Sequence, residues 1–291
     1  MKYKLYLIIS MVIFGTIGVF RRLINLSSGE LSLYRAVLAS ILILGYILIR
    51  REKIEWAKIK RWLLPLALSG VAMGFNWILL FEAYNFTSVS VATLSYYFAP
   101  ILVTILSPVL FREKLTVKNA VCFVFATAGL VMIVLSGSVS LGLWGIFGIL
   151  LGLGAAVLYA TVILLNKAIK EVSGIQRTFM QFIFAIVVLI PYVLLTDGIN
   201  LTSLMPLDIW MLLIVGFVHT GVTYCLYFSS LSSIKGSTAA ILSYIDPLVA
   251  VLCSVILLDE PMTLWQVIGG ILILGFTLLS EVNFKKSAQK A

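Results

Sequence analysis

Residues 90–116 (SVATLSYYFAPILVTILSPVLFREKLT) and 237–263 (STAAILSYIDPLVAVLCSVILLDEPMT) are two versions of one segment. At a constant offset of 147 the identical positions include Ser90/Ser237, Ala92/Ala239, Tyr97/Tyr244, Pro100/Pro247, Ser107/Ser254, Glu113/Glu260 and Thr116/Thr263. Most of the others exchange one apolar residue for another. Upstream, Gly74, Leu79 and Phe81 align with Gly221, Leu226 and Phe228. A repeat of this length constrains the fold before any single residue is interpreted. Each copy is a long apolar run with a Tyr-x-x-Pro step inside it, the pattern of a membrane helix broken near mid-depth.

Composition agrees with that pattern. Only 11% of the 291 residues are charged and 62% are hydrophobic, with a mean hydropathy of +1.12. Soluble domains carry about 25% charged residues, so the chain reads as a polytopic membrane protein. The net charge of +9 does not point to nucleic acid, because the basic residues sit in short clusters between apolar runs. Cys122, Cys225 and Cys253 each lie within an apolar run without ligand spacing. They are expected to be buried small hydrophobes, neither disulfides nor metal ligands. The apolar stretch after Lys2 and Lys4 has no small-x-small cleavage site and is followed by Arg21 and Arg22, so it is expected to be retained as a first helix.

About 20 apolar residues cross a bilayer core as a helix. Ten runs meet that length: 3–21, 31–49, 63–83, 88–110, 117–136, 141–165, 176–195, 207–229, 236–258 and 263–281. The links are short, and no separate soluble domain appears. Eighteen of the 21 Lys and Arg residues fall at the two chain ends or in the even-to-odd links, against Arg21 and Arg22 on the other side. Basic loops stay cytoplasmic, so both termini are expected in the cytoplasm, with the protein in the cell membrane. Five is odd, so helices 1–5 and 6–10 enter the membrane from opposite faces. The fold expected is all-α, ten transmembrane helices in two inverted five-helix repeats, residues 1–137 and 138–291. Inverted repeats are a recurring transporter plan with the substrate site at their interface; a duplicated membrane scaffold or receptor subunit is the alternative.

Several steps resemble the drug/metabolite transporter superfamily, and within it the ten-helix EamA-type members. They are Phe14-Gly15-Thr16, Tyr34-Arg35-Ala36, Phe81-Glu82-Ala83-Tyr84, Ala92 through Pro100, Arg112-Glu113-Lys114-Leu115-Thr116 and Asp259-Glu260-Pro261-Met262-Thr263. Phe14 stands where many relatives carry Trp. The resemblance implies movement of small polar or amphipathic metabolites such as amino acids, often outward and often coupled to protons.

Polar groups deep in apolar spans are costly and therefore informative. Pro100 and Pro247 each remove a helical hydrogen bond, freeing the carbonyls of Tyr96 and Ser243 as a packing kink or a gate. Arg35 and Glu82 share an outer depth and are expected to pair, mainly as structure. His219 and Asp246 share the central depth, while their repeat counterparts are Ala72 and Ala99. They form a candidate proton-coupling or substrate-reading pair. A second reading has His219 bonded to a neighbouring backbone group or serine while Asp246 stitches the break at Pro247, and both stay open. Trp77, Tyr96, Tyr97, Tyr159, Tyr224, Tyr227 and Tyr244, with Asn76 and Thr223, are candidate cavity-lining residues for a small amphipathic substrate. Gly70/Gly74 and Gly148/Gly152 are close-packing steps. No enzyme motif, cofactor-binding loop or metal-ligand cluster is present in the sequence, so no enzyme activity, cofactor or metal is expected. The partners expected are a small-molecule substrate, the lipid bilayer and protons; a homodimer is left open.

Overall fold

A computed structural model describes residues 2–111, 116–140, 142–196, 198–199, 204–231 and 242–281. Among these, every regular element is a helix and the chain crosses back and forth ten times. The first crossing is α1 (Lys2–Gly15) and α2 (Ile17–Leu23), interrupted at Thr16. The second is α3 (Ser28–Ile49), opened by a Ser27–Glu30 capping box that satisfies two orphan amides. A short α4 (Trp56–Arg61) precedes α5 (Leu63–Phe86), the third crossing. The fourth divides into α6 (Val89–Tyr96) and α7 (Ala99–Phe111). Next come α8 (Val117–Ser140), α9 (Gly142–Ala168) and α10 (Gly174–Thr196). The eighth crossing joins α11 (Pro206–Leu213), a π-helical stretch (Ile214–Val222) and α12 (Thr223–Leu231). The ninth and tenth are α13 (Ile245–Leu257) and α14 (Leu264–Glu281).

The spans read from the sequence coincide with these helices within a few residues. The chain is a multi-pass membrane protein, with 7 helices of full membrane length and three shorter apolar ones among the described residues. Residues 112–115, the expected start of the ninth crossing at 236–241 and the chain end 282–291 lie outside the described residues; so does the repeat residue Glu113.

Helix pairing has a regular plan. The second crossing packs on the eighth and the third on the seventh; the first packs on the ninth and the fourth on the sixth. Each pair maps onto the other when every helix is exchanged for the one five places along. The fifth and tenth crossings, α8 and α14, pack on each other, as do α3 and α10.

Small residues set how close these helices come. A Cβ at Gly70 would lie 2.5 Å from the Gln181 carbonyl on α10, and one at Gly152 would lie 3.1 Å from the Ala92 carbonyl on α6. The α8–α14 contact is reciprocal: a Cβ on Gly129 would meet the Gly269 carbonyl at 2.6 Å, and a Cβ on Gly269 the Gly129 carbonyl at 2.6 Å. Backbone oxygens cannot step aside as side chains do. Gly129→Val and Gly269→Val are each expected to destabilise the fold by about 2–3 kcal/mol through overpacking. The double variant should fall well short of the sum, because both press on one contact. Thermal unfolding in detergent checks this, and two single variants as stable as the parent would contradict it.

Both Tyr-x-x-Pro steps are where the backbone changes. Tyr97 and Phe98 form a turn between α6 and α7, with the Phe98 amide bonded three residues back to the Ser95 carbonyl (3.2 Å). The aligned Tyr244 sits at the turn that opens α13. Two further irregularities carry no proline signal. At Thr16 the backbone pauses, and the Thr16 hydroxyl donates to the Ile13 carbonyl at 2.8 Å. In the π-helical stretch, side-chain bonds run five residues back: the Thr220 hydroxyl to the Val215 carbonyl (2.8 Å) and the Thr223 hydroxyl to the Val218 carbonyl (2.7 Å). Gly216 and Gly221, also five apart, let this stretch lie against Leu38 and Leu42 of α3.

Candidate functional site

The breaks in the first, fourth and ninth crossings converge on a central cavity with two adjoining chambers. Phe14, Tyr96, Tyr97, Tyr159, Tyr224 and Asp246 line both. The inner chamber, about 110 Å³, adds Arg35, Trp77, Phe81, Tyr84 and Thr93. The wider one, about 430 Å³, adds Pro100, Thr104, Tyr227, Ser243 and Tyr244. It reaches toward the face where α1 begins and α7, α9 and α12 end, since Met11, Thr104, Ile163 and Tyr227 line it.

The walls are stacked rings. Tyr96 lies on Tyr159 (centroids 5.2 Å apart), Phe14 meets Tyr224 edge-on at 5.2 Å, and Tyr96 meets Tyr97 at 5.8 Å. The Tyr97 hydroxyl donates to the Asp246 carboxylate across the fourth–ninth crossing contact. The two Tyr-x-x-Pro breaks therefore meet through this bond: Asp246 immediately precedes Pro247, and Tyr97 lies three residues before Pro100. Arg35 reaches the inner chamber from α3. Its guanidinium lies 4.5 Å over Trp77 and 5.2 Å over Phe81, and its Nε–H donates to the Thr220 hydroxyl at 3.1 Å.

On the opposite face from the wide chamber, Glu260 gathers three elements. Its Oε1 accepts from the Arg22 guanidinium at 2.7 Å, and its Oε2 from the Val89 amide at 2.7 Å and from the Ser254 hydroxyl. Ser254 in turn accepts from the Ser90 amide at 3.2 Å. A carboxylate and a hydroxyl thus cap the amino end of α6, where the helix dipole and free amides favour negative charge. Arg22 also donates to the Thr87 carbonyl (2.9 Å), tying α2 to the same end. This latch sits at the mouth of a surface hollow of about 520 Å³.

The residues singled out from sequence fall into distinct places. Trp77, Tyr96, Tyr97, Tyr159, Tyr224, Tyr244, Asp246 and Pro100 line the cavity. Asn76 and Thr223 do not: Asn76 donates to the Ala155 carbonyl at 2.6 Å, and Thr223 bonds the backbone of its own helix. Pro247 is buried beside the cavity and not on its wall. His219 and Asp246 are not brought together. The His219 Nε2 faces the Thr16 hydroxyl at 2.9 Å and its ring packs on Phe20 at 4.5 Å, away from the chamber.

Arg35 and Glu82 share a depth but not the expected ion pair. Glu82 accepts from the Ser28 hydroxyl (2.6 Å) and the Asn85 amide (3.1 Å). Arg21 donates to the same two side chains, at 3.2 Å each, so Glu82 is balanced by Arg21 through neutral intermediaries. The physical reason is azimuth. Trp77 and Phe81 are four apart on one stripe of α5, whereas Glu82 projects about 100° round it. The corrected expectation is that Arg35→Ala and Glu82→Gln lower thermal stability additively, because they share no partner. Losses that overlapped by more than about 1 kcal/mol would restore the pair.

Sequence reasoning missed Thr16, Tyr84, Thr93 and the Arg22–Glu260 latch. For Glu260 a signal existed: it is one of the identical positions of the repeat.

The family model of the EamA-like transporter family matches the chain twice, over residues 1–135 and 146–281. An uncharacterized transporter of Bacillus subtilis, YxxF, is 32% identical over 280 residues, covering 95% of this chain and 88% of that protein. An uncharacterized transporter of Archaeoglobus fulgidus is 29% identical over 276 residues, covering 94% of each. Mouse solute carrier family 35 member G1 is 24% identical over 282 residues, covering 92% of this chain and 75% of that protein. A solved crystal structure shares the fold, with a TM-score of 0.65 at 15% identity over 96% of this chain and 97% of that one. Ten apolar crossings, paired as two sets of five around a ring-walled cavity, are the architecture to which these matches attach. The chain belongs to the EamA-like transporter family.

Proposed function

We propose that this chain is a secondary transporter that exports small metabolites such as amino acids or related compounds by alternating access. The observation that carries the reading is the central cavity: it lies where broken crossings meet and is walled by tyrosines with Asp246 in both chambers. Broken helices at mid-depth place backbone and polar side chains beside cargo without exposing them to lipid. The two halves, 1–137 and 138–291, act as inverted repeats that rock against each other. Helix pairs that exchange under a five-place shift support this division.

The protein sits in the cell membrane with both termini cytoplasmic, a reading supported by the basic links. The wide chamber then faces the cytoplasm, and the Arg22–Glu260 latch closes the outer side. An exporter collects cargo in this state. Asp246 couples the cycle to protons: it is the carboxylate common to both chambers and is held by Tyr97 at the junction of the two breaks.

The test is counterflow in proteoliposomes preloaded with a metabolite panel that includes the standard amino acids. Saturable exchange of at least one member, and its acceleration by a proton gradient, is the expected result. Exchange absent across the whole panel would favour a membrane scaffold, and non-saturating currents a channel.

A further inference from the structure

Arg35 is only 3% exposed, yet among the described residues no carboxylate lies within ion-pair distance of it. Its hydrogen bond to protein is made by Nε–H, to Thr220, whose own proton goes to the Val215 carbonyl. Among the described residues the two Nη groups make no hydrogen bond and neither is fully enclosed, while Arg35 lines the inner chamber. The faces of Trp77 and Phe81 beneath the guanidinium offset part of the cost of burying it. They leave the fork itself unsatisfied. A buried cation without a counter-ion is costly, and the cost falls when an anion arrives. Paired Nη groups in one plane match a carboxylate with two parallel hydrogen bonds.

Among the described residues the same chamber holds one acidic group. Asp246 stands apart from Arg35, bonded to Tyr97, with the rings of Tyr96, Tyr159 and Tyr224 also on the walls. A cargo with only a negative charge would leave Asp246 uncompensated, and one with only a positive charge would leave Arg35 so. A cargo carrying both leaves neither.

We propose that the inner chamber is a carboxylate-reading site built on Arg35, and that its cargo is a small zwitterion whose carboxylate docks on the Nη fork while its cationic amine faces Asp246. This rests on reading the cavity as the cargo site, and it adds which charge each end of the cargo carries. Trp77, Phe81 and Thr220 are positioning residues: they hold the fork and touch no cargo charge. α-Amino acids and longer ω-amino acids share this chemistry and differ in the separation of their charges.

The experiment is ligand-dependent thermal stabilisation of the purified full chain. The probes are the standard α-amino acids, β-alanine and 4-aminobutyrate, each beside its carboxamide and its N-acetyl derivative. At least one zwitterion is expected to raise the melting temperature, with its carboxamide bound roughly 10- to 100-fold more weakly, the effect of one lost charge-assisted contact. Which of the two amino-acid series responds fixes the charge separation. Arg35→Gln should abolish the difference between acid and carboxamide. Arg35→Lys keeps a charge without the fork, and should keep the preference for the acid while weakening its binding about tenfold. It also serves as the reading variant should Arg35→Gln not fold.

Stabilisation by carboxamides equal to that by acids, or by no zwitterion at all, would overturn the proposal even in the parent protein. So would an unchanged acid preference in Arg35→Gln. Zwitterion binding lost in Arg35→Gln without any counterflow would instead sink the transport reading and keep the site. Saturable counterflow of cargo without a carboxylate, unaffected by Arg35→Gln, would do the reverse.

Discussion

Asp246→Asn should leave a folded, ring-walled cavity in a protein whose transport no longer responds to a proton gradient. Asparagine keeps the shape of the aspartate and still accepts the Tyr97 hydroxyl, so the contact between the fourth and ninth crossings survives. What it removes is the titratable group. Among the described residues the other titratable groups lining the two chambers are the Arg35 guanidinium and the phenols of Tyr84, Tyr96, Tyr97, Tyr159, Tyr224, Tyr227 and Tyr244, and neither type ordinarily changes charge near neutral pH. The parent should export against a cargo gradient when protons flow inward, and more steeply as that gradient grows. The variant should show no uphill movement and a flat response to pH, with a folded yield close to the parent's. Proteoliposome flux at several pH gradients measures both. A pH dependence like the parent's would place coupling elsewhere, and the next residue to test would be His219, held by Thr16 outside the cavity.

Glu260→Ala should release the amino end of α6. Arg22 alone explains little of the latch: a pair with a side chain 34% exposed contributes under about 1 kcal/mol. The larger share comes from the bonds Glu260 makes to the Val89 amide and the Ser254 hydroxyl, because a carboxylate at a helix amino end satisfies amides that have no helical partner. We expect a loss of about 2–3 kcal/mol of latch stability, which accelerates hydrogen exchange at the start of α6 by tenfold or more. Arg22→Ala should change that exchange by less than about fivefold. Exchange mapped over 89–95 checks this, and indistinguishable rates in parent and Glu260→Ala would show that the latch does not hold the helix.

The contrast between Glu260 and Arg35 shows what the sequence could reveal. Depth along the membrane normal was legible, because it is a count of residues from the nearest polar link. That count located the ten crossings and the two breaks. Azimuth was not, because sequence gives no absolute rotation of one helix against another. Arg35 and Glu82 matched in depth and missed each other by about a quarter turn; Asn76 and Thr223 aligned in the repeat, yet both turn onto backbone carbonyls. The π-helical stretch had a faint signature in Gly216 and Gly221, five apart, where α-helical packing steps are three or four. Thr16 had none, since a hydroxyl that bonds its own backbone leaves no mark on hydropathy.

Arg35 and Asp246 each lack a twin. The offset of 147 puts Phe182 opposite Arg35 and Ala99 opposite Asp246. Trp77 and its mate Tyr224 each meet the corresponding neighbour, Arg35 in one case and Phe182 in the other. The architecture is doubled while its charge is not. A carrier with two like halves would spend equal time open to either side. On the alternating-access cycle proposed above, the two lone charges would be shielded from water to different depths in the two orientations, and every ~1.4 kcal/mol of that difference would skew occupancy tenfold. On the same reading, an empty carrier of this kind has a preferred door, and the zwitterion proposed for the inner chamber is what would let it use the other.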